Sequence, residues 1–463
     1  MKEVAQIGAC IGREFSYELL AAVSPLRDNE LQDALSQLVN ANIIHRRGEP
    51  PNSVYIFKHA LIQDTAHQTL LKSKKRQLHA RIAVHLEKRF KDVVTIHPEI
   101  LAQHHFQASN FSKACSYYLQ AARLAFRRSL AKEAIAHATS GLRVSDDMPK
   151  SESTDGLRSD LYLTIGRAYI FAKGWGSPDS LKAFTQSKQL SEGIGDDQRL
   201  LESLYGLATF HLVGGDIRTS LIECENIRKL ANKNDNIEWM MLGNSMPVVS
   251  SVYRGDFVGS SYYYREFLKF YDEEKHFSLV PKYGADRRMQ TMGHFALSSY
   301  ALGYPDKAHK LFDEVRSLIN DKTDPFTLAA TYTSLALLGL AERNAQTVLF
   351  NPEKILNITQ EYGIGLYLGI GMANLGGGLA LSGKRETGLE NLRNGIKQVS
   401  ETGSTIGITV WNVFLAEVLG SLGEISQGLR QIEKALVQVD ELGEGYFESE
   451  CPSEKMLNHM SRM

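Results

Sequence analysis

Glycine-centred breaks interrupt the apolar stretches of this 463-residue sequence at a near-constant interval, and nothing else in it restricts the possible folds as much. They fall at Gly215-Asp216, Gly255-Asp256, Gly303-Tyr304-Pro305-Asp306, Gly383-Lys384 and Gly423-Glu424. The intervals are 40, 48, 80 and 40 residues, and the polar turn Glu342-Arg343-Asn344 divides the longest. A period of about 40 residues emerges. Beyond about residue 97 the apolar residues recur at helical spacing, without sustained alternation, so this part is all-α. Each unit reads as an apolar helix with small residues, a turn, and a second helix ending at Gly or at a polar cluster such as Asn232 to Asn236. A helical hairpin cannot bury its apolar face alone, so neighbouring copies are expected to stack into a right-handed superhelix with a concave surface. Gly206, Ala208, Gly293, Ala296, Gly371 and Ala373 mark where helices approach closely, and seven or eight hairpins fit between about 97 and 445.

The first ninety residues have a different texture. Phe15 to Ser24 and Asn29 to Asn40 read as short amphipathic helices, the second with Asn29 as N-cap and Leu31, Ala34, Leu35 and Leu38 on one face. Ile43 to His45 and Val54 to Phe57 flank the turn-rich segment Gly48 to Ser53, which is the pattern of two paired strands after a helical pair. Helices over Ala60 to Leu71 and Ser73 to Phe90 then lead into the array.

Composition narrows the class. Lys and Arg number 52 against 53 Asp and Glu, a net charge of -1 that gives no global attraction to nucleic acid or to an anionic membrane. Cys10, Cys115, Cys224 and Cys451 are isolated, with no CxxC pair, which argues against zinc ligation, redox catalysis and a disulfide framework. The N-terminus lacks the apolar run of a signal peptide, and no stretch reaches the length of a membrane helix. A soluble, cytoplasmic protein is the expectation.

Three segments resemble one family. Ile11-Gly12-Arg13-Glu14-Phe15, Phe57-Lys58-His59-Ala60-Leu61-Ile62-Gln63-Asp64 and Arg76-Gln77-Leu78-His79 look like the winged-helix segment of multidomain signalling ATPases of the P-loop STAND type. Tyr283-Gly284-Ala285-Asp286 with Leu302 to Ala308 is similar to a stretch of the repeat region of the same proteins. The resemblance implies a mainly α fold: a winged-helix-like domain over 1–90, tetratricopeptide-like repeats forming an α-solenoid over 91–445, and an irregular tail over 446–463. In that family a P-loop module binding ATP or ADP precedes the winged helix, often with a class III adenylate or guanylate cyclase domain. The sequence departs from the pattern at both ends. It starts inside the first winged-helix element, and after Gly445-Tyr446-Phe447-Glu448 it turns into Cys451-Pro452-Ser453-Glu454 where another repeat is expected, so it reads as a C-terminal piece.

The resemblance places His59 at the end of the wing, against the phosphates of ADP in the inactive state. An imidazole donor there couples nucleotide state to domain position. With no P-loop in this sequence, a local structural role is the ordinary reading of His59. Gly378 to Arg385 meets GxxxxGK, but Arg385 stands where Ser or Thr would hold magnesium, and the residues end a helix instead of following a strand. Gly363, Gly365, Gly369 and Gly371 lack the third Gly and the βαβ setting of a dinucleotide site, and helix packing explains them. His45 to Lys91 carries 11 Lys and Arg against 3 Asp and Glu, yet Asn29 to Asn40 has no basic residue with which to read DNA. A solvated face or a docking surface for an ATPase module is favoured over DNA binding. His79, His85, His104 and His105 have no HExxH spacing and no Cys or carboxylate near them in sequence, and no nucleophile elbow occurs. Tyr262, Tyr263 and Phe267, in a cluster with Tyr264, Phe270 and Tyr271, are candidates to line a partner-binding groove, although packing is the commoner role at this spacing.

The reading is therefore a non-catalytic, protein-interaction or sensory region of a signalling ATPase or nucleotide cyclase, with no cofactor or metal of its own. Its partner would sit on the concave face of the array, with a P-loop ATPase or cyclase module as a second partner. Two alternatives stay open. One is a transcriptional regulator whose winged helix binds DNA and whose array senses a ligand. The other is a subunit that completes an ATPase in trans.

Overall fold

The computed structural model describes residues 1–128, 130–174, 176–276, 285–362 and 364–447, and these are mainly helical. Tyr283, Gly284 and Gly363, and the segment from Glu448 through Cys451-Pro452-Ser453-Glu454, lie outside the described residues. The chain divides into two compact units, Met1–Ala168 and Tyr169–Met463. Residue 90, the expected domain boundary, lies between two helices of the first unit.

The first unit opens α1 (Lys2–Ile11), β1 (Glu14–Ser16), α2 (Tyr17–Val23), α3 (Asp28–Asn40), β2 (Ile44–Arg47), β3 (Val54–Phe57), α4 (Ala60–Gln68) and α5 (Lys72–Arg89). The two expected strands pair antiparallel, Ile44 opposite Phe57, and β1 adds a third on the far side of β3 to give the order β1-β3-β2. Three residues are too few to show alternation, which is why β1 left no mark in the sequence. The helix expected from Phe15 begins at Tyr17 instead, because the Ser16 side chain accepts from the Leu19 amide and caps it there. Asn29 is not an N-cap. Helix α3 starts one residue earlier, where Glu30 accepts from the Arg27 amide at 3.1 Å. Its expected face is buried, with Leu31, Leu35 and Leu38 packed among Ile7, Phe15, Leu20, Ile44 and Phe57. Helices α6 (Lys91–Ile96), α7 (Pro98–Gln107), α8 (Phe111–Arg127) and α9 (Ala131–Ser145) follow, and α10 (Glu152–Lys173) crosses the division.

In the second unit, α11 (Pro178–Ile194) precedes six antiparallel hairpins among the described residues. They are Asp197–Val213 with Ile217–Lys233, Ile237–Arg254 with Phe257–Phe270, Arg287–Ala301 with Pro305–Leu318, Pro325–Ala341 with Ala345–Tyr362, Gly365–Leu381 with Arg385–Glu401, and Ile408–Ser421 with Ile425–Leu442. All five glycines of the periodic breaks lie in the left-handed region, with φ from 80 to 88°. Arg343, in the turn that divides the long interval, takes the same conformation at 56°. The turn geometry is thus constant even where the glycine is not. First helices pack on one another along the array, and those at Pro325–Ala341 and Ile408–Ser421 are buried on nearly every side, whereas the second helices are amphipathic. The small residues act as expected. A Cβ on Gly206 would lie 2.6 Å from the Phe184 ring, and one on Gly371 3.0 Å from Ile355.

The last hairpin also touches the first ones of its unit. Thr405 and Ile406 donate their amides to the Val213 carbonyl at 3.0 and 3.3 Å, and Tyr446 donates to Tyr253 at 3.1 Å. Unpaired carbonyls at the C-termini of two first helices are satisfied by these loops from far along the sequence. At Gly176 a Cβ would stand 1.9 Å from the Gly403 carbonyl oxygen, so glycine is what permits this backbone approach.

Candidate functional site

Helix Phe257–Phe270 divides the aromatic candidates by its own turn. Tyr262 is 43% exposed, Tyr263 is half-buried under the Arg228 guanidinium at 5.6 Å, and Phe267 is fully buried among Met241, Leu242, Tyr264, Met292 and Val315. Phe267 therefore packs the core and does not face a partner. Its position, four residues after Tyr263 and three after Tyr264, puts it on the inward face of an amphipathic helix.

Sequence reasoning passed over the polar residues set into the apolar first helices. Asn244, Thr331 and Asn374 are 3%, 2% and 0% exposed. Asn244 donates from Nδ2 to the Met240 carbonyl at 2.8 Å, and Asn374 Oδ1 accepts from Trp411 Nε1 at 2.9 Å. Asn244 Oδ1, Thr331 Oγ1 and Asn374 Nδ2 are left without a hydrogen-bond partner. A buried polar atom left unpaired costs about 1–3 kcal/mol, so such atoms call for an explanation. The signal was present as an Asn or Thr set within a run of mainly apolar residues.

In the first unit, His59 is the N-cap residue of α4, directly after β3, and its side chain is exposed and makes no capping bond. Of the basic strip, Lys72, Lys74, Arg76 and Arg81 are exposed along α5, with Arg76 Nε donating to the Ala108 carbonyl at 3.1 Å. Helix α3 exposes Asp28, Glu30 and Asp33 instead. Gly378 to Arg385 runs from helix Gly365–Leu381 through the Gly383 turn into helix Arg385–Glu401, as the repeat register required, so a helix and not a strand stands directly before the turn. Gly369 and Gly371 meet neighbouring helices closely, a Cβ on Gly369 falling 2.7 Å from the Val399 nitrogen.

The histidines that are scattered in sequence converge. His79 Nε2 lies 3.5 Å from His67 Nε2, and its Nδ1 lies 2.9 Å from His104 Nδ1. Cys10 joins them, its Sγ and one nitrogen of each of His67 and His79 all lying within 4.8 Å of one another. Burial lowers His79 to about 4 and His104 to about 3, and it pushes the Cys10 thiol up to about 11, so all are neutral near pH 7. A second group surrounds Glu87. Burial would raise this carboxyl, but donors from Lys113 at 2.9 Å, His105 at 3.0 Å and Tyr117 at 3.0 Å outweigh it and hold it below the usual range. His105 stacks on Tyr117 with ring centroids 5.5 Å apart, which fixes the corner between α5, α7 and α8.

No family model matches the chain. An uncharacterized protein of Rhizobium meliloti (strain 1021) is 19% identical over 453 residues, which cover 97% of this chain and 44% of the relative. The chain thus spans less than half the length of the curated relative it matches. Among solved structures it is similar to a Signal Transduction ATPase with Numerous Domains (STAND) protein with a tetratricopeptide repeat sensor from Pyrococcus horikoshii, at 13% identity and a TM-score of 0.35, over 97% of this chain and 64% of that one. It is also similar to the apo form of the quorum sensor NprR from B. thuringiensis, at 12% identity and a TM-score of 0.48, over 80% of this chain and 99% of that one. A third is a Rap protein complexed with Competence and Sporulation Factor, at 14% identity and a TM-score of 0.46, over 76% and 98%. Among the described residues, no helix is long and apolar enough to cross a membrane.

Proposed function

We propose that this chain is the non-catalytic sensory region of a signalling ATPase or nucleotide cyclase. A winged-helix module over 1–90 leads into a tetratricopeptide-like array that takes up an extended segment of a protein partner. The observation that carries the reading is Tyr262, 43% exposed beside half-buried Tyr263 on helix Phe257–Phe270. The Tyr262 ring offers a partner segment an apolar face and a hydroxyl that can hydrogen-bond. The wing supports the second half of the reading, since exposed His59 is free to meet a phosphate that a P-loop module supplies. Partner binding would then bias the packing of the wing against that module. DNA binding draws no support from α3, whose exposed Asp28, Glu30 and Asp33 would repel phosphates.

Selection of peptides from a random library on the immobilised chain tests the array. Peptides so selected should rebind Tyr262→Ala and Tyr263→Ala at least about tenfold more weakly, a loss of about 1.4 kcal/mol each. The thermal midpoint of Tyr262→Ala should hardly change, because the side chain is 43% exposed. Equal affinity for parent and variants sinks the reading. For the wing, nucleotide affinity unchanged by replacing the equivalent histidine in an intact ATPase relative would remove its role.

A further inference from the structure

We propose that Cys10, His67 and His79 form a binding site for a thiophilic divalent cation of the zinc class, independent of the partner reading above. The three side chains come from α1, α4 and α5, elements separated by up to 69 positions, yet their ligand atoms gather within 4.8 Å. Two neutral imidazoles and a thiol that gives up its proton to solvent as the ion binds are a donor set that zinc takes. In a tetrahedral zinc site the N···N and N···S spans are about 3.3–3.6 Å. The 3.5 Å between His67 Nε2 and His79 Nε2 already meets that span, and the sulfur has roughly an ångström to close.

Two further features point to a cation. His79 turns its other nitrogen to His104 Nδ1 at 2.9 Å, and one of those two atoms must carry the hydrogen. With the hydrogen on His79 Nδ1, its Nε2 lone pair faces His67 and the thiol, and His104 becomes the outer partner that orients a ligating imidazole. Cys10 and His67 also sit in the last turns of α1 and α4, where backbone carbonyls put partial negative charge. The flanking charges are Lys75, which opposes a cation, and Asp64 beside His67, which favours one. A bound ion would tie α1 to the α4–α5 pair across the core of the first unit. Three protein ligands leave the fourth position to water or another small donor.

Cobalt(II) is the probe, since it takes zinc sites and shows both tetrahedral geometry and sulfur ligation in its spectrum. The full chain, stripped with chelator under reducing conditions, should bind one equivalent with tetrahedral visible bands and a thiolate charge-transfer band, and zinc should displace it. Cys10→Ser should lose the charge-transfer band. His67→Asn, a change at a half-exposed position, should weaken binding by about 100-fold, and His104→Gln by about tenfold. Circular dichroism establishes that each variant is folded. Absence of cobalt and zinc binding by the folded parent, or a spectrum and affinity that Cys10→Ser and His67→Asn leave unchanged, overturns the proposal.

Discussion

At the scale of single residues, the second unit holds two buried ionisable groups whose effects on stability oppose each other. Burial lowers His294 to about 4 from 6.5, despite its contact with the Gln290 carbonyl at 2.8 Å. Between these values the unfolded chain binds a proton that the folded chain does not, so this group makes stability rise with pH. Burial raises Glu444 from 4.5 to about 7, even though it accepts from the Gly407 amide and from the Thr409 hydroxyl at 2.7 Å. Here the folded chain keeps a proton the unfolded chain has lost, so this group makes stability fall as pH rises from 4.5 to 7. Each contribution is at most roughly 3 kcal/mol over its window. Relative to the parent, His294→Gln should tilt the stability-against-pH curve downward toward neutral pH, and Glu444→Gln should tilt it upward. Urea titrations at pH 5 and pH 7 measure both, and equal slopes in parent and variants would refute the assignment.

Elements in the array are punctuated by a repeated device. A left-handed residue, Gly215, Asp235 or Gly255, ends one helix, and an Asp or Asn side chain begins the next: Asp216 accepts from the Thr219 amide at 3.1 Å, Asn236 from Trp239 at 3.1 Å and Asp256 from Gly259 at 2.8 Å. Replacing Asp256 by Ala should cost about 1 kcal/mol, read as a lowered denaturation midpoint. The glycines separate strain from crowding. Gly383 has open space around its Cβ direction, so Gly383→Ala carries only the left-handed penalty of about 1 kcal/mol. At Gly255 an added Cβ would also meet the Gly445 carbonyl oxygen at 2.8 Å, so Gly255→Ala should lower the midpoint clearly more. Equal costs at the two positions would mean that the close approach at Gly255 is absent. Arg343 shows how a repeat dispenses with glycine: its guanidinium pairs with both oxygens of Glu417 at 2.6 and 2.7 Å and lies 4.7 Å over the Phe414 ring. This ion pair and cation–π contact offset the backbone strain.

Across a whole unit, contacts between residues distant in sequence set the architecture. Tyr446 and Phe447 enter the core with Phe257 and Phe414, although they follow the last described helix. Tyr446→Ala should cost about 3–4 kcal/mol and loosen the last hairpin, seen as faster amide exchange in Ile408–Ser421 and in the end of Ile237–Arg254. Protection unchanged in both helices would show that the two ends of the unit do not share this core.

Much of the hairpin array was legible because its signals are local. A glycine or a polar turn after every apolar helix, a capping carboxylate and a 3.6-residue stripe lie within one repeat, and the hairpins fell where the turns put them. The α3 core face and the β2–β3 pair were readable for the same reason. What the sequence by itself determined is therefore where the hairpins of the array turn and which faces their helices bury. Strand β1, the docking of residues 404–406 and 446 on Val213 and Tyr253, and the meeting of Cys10 with His67 and His79 came only from the tertiary structure. The physical reason is distance along the chain. Backbone preference and side-chain period act over a few residues, whereas these contacts join groups tens to hundreds of positions apart, which become neighbours only when whole elements pack.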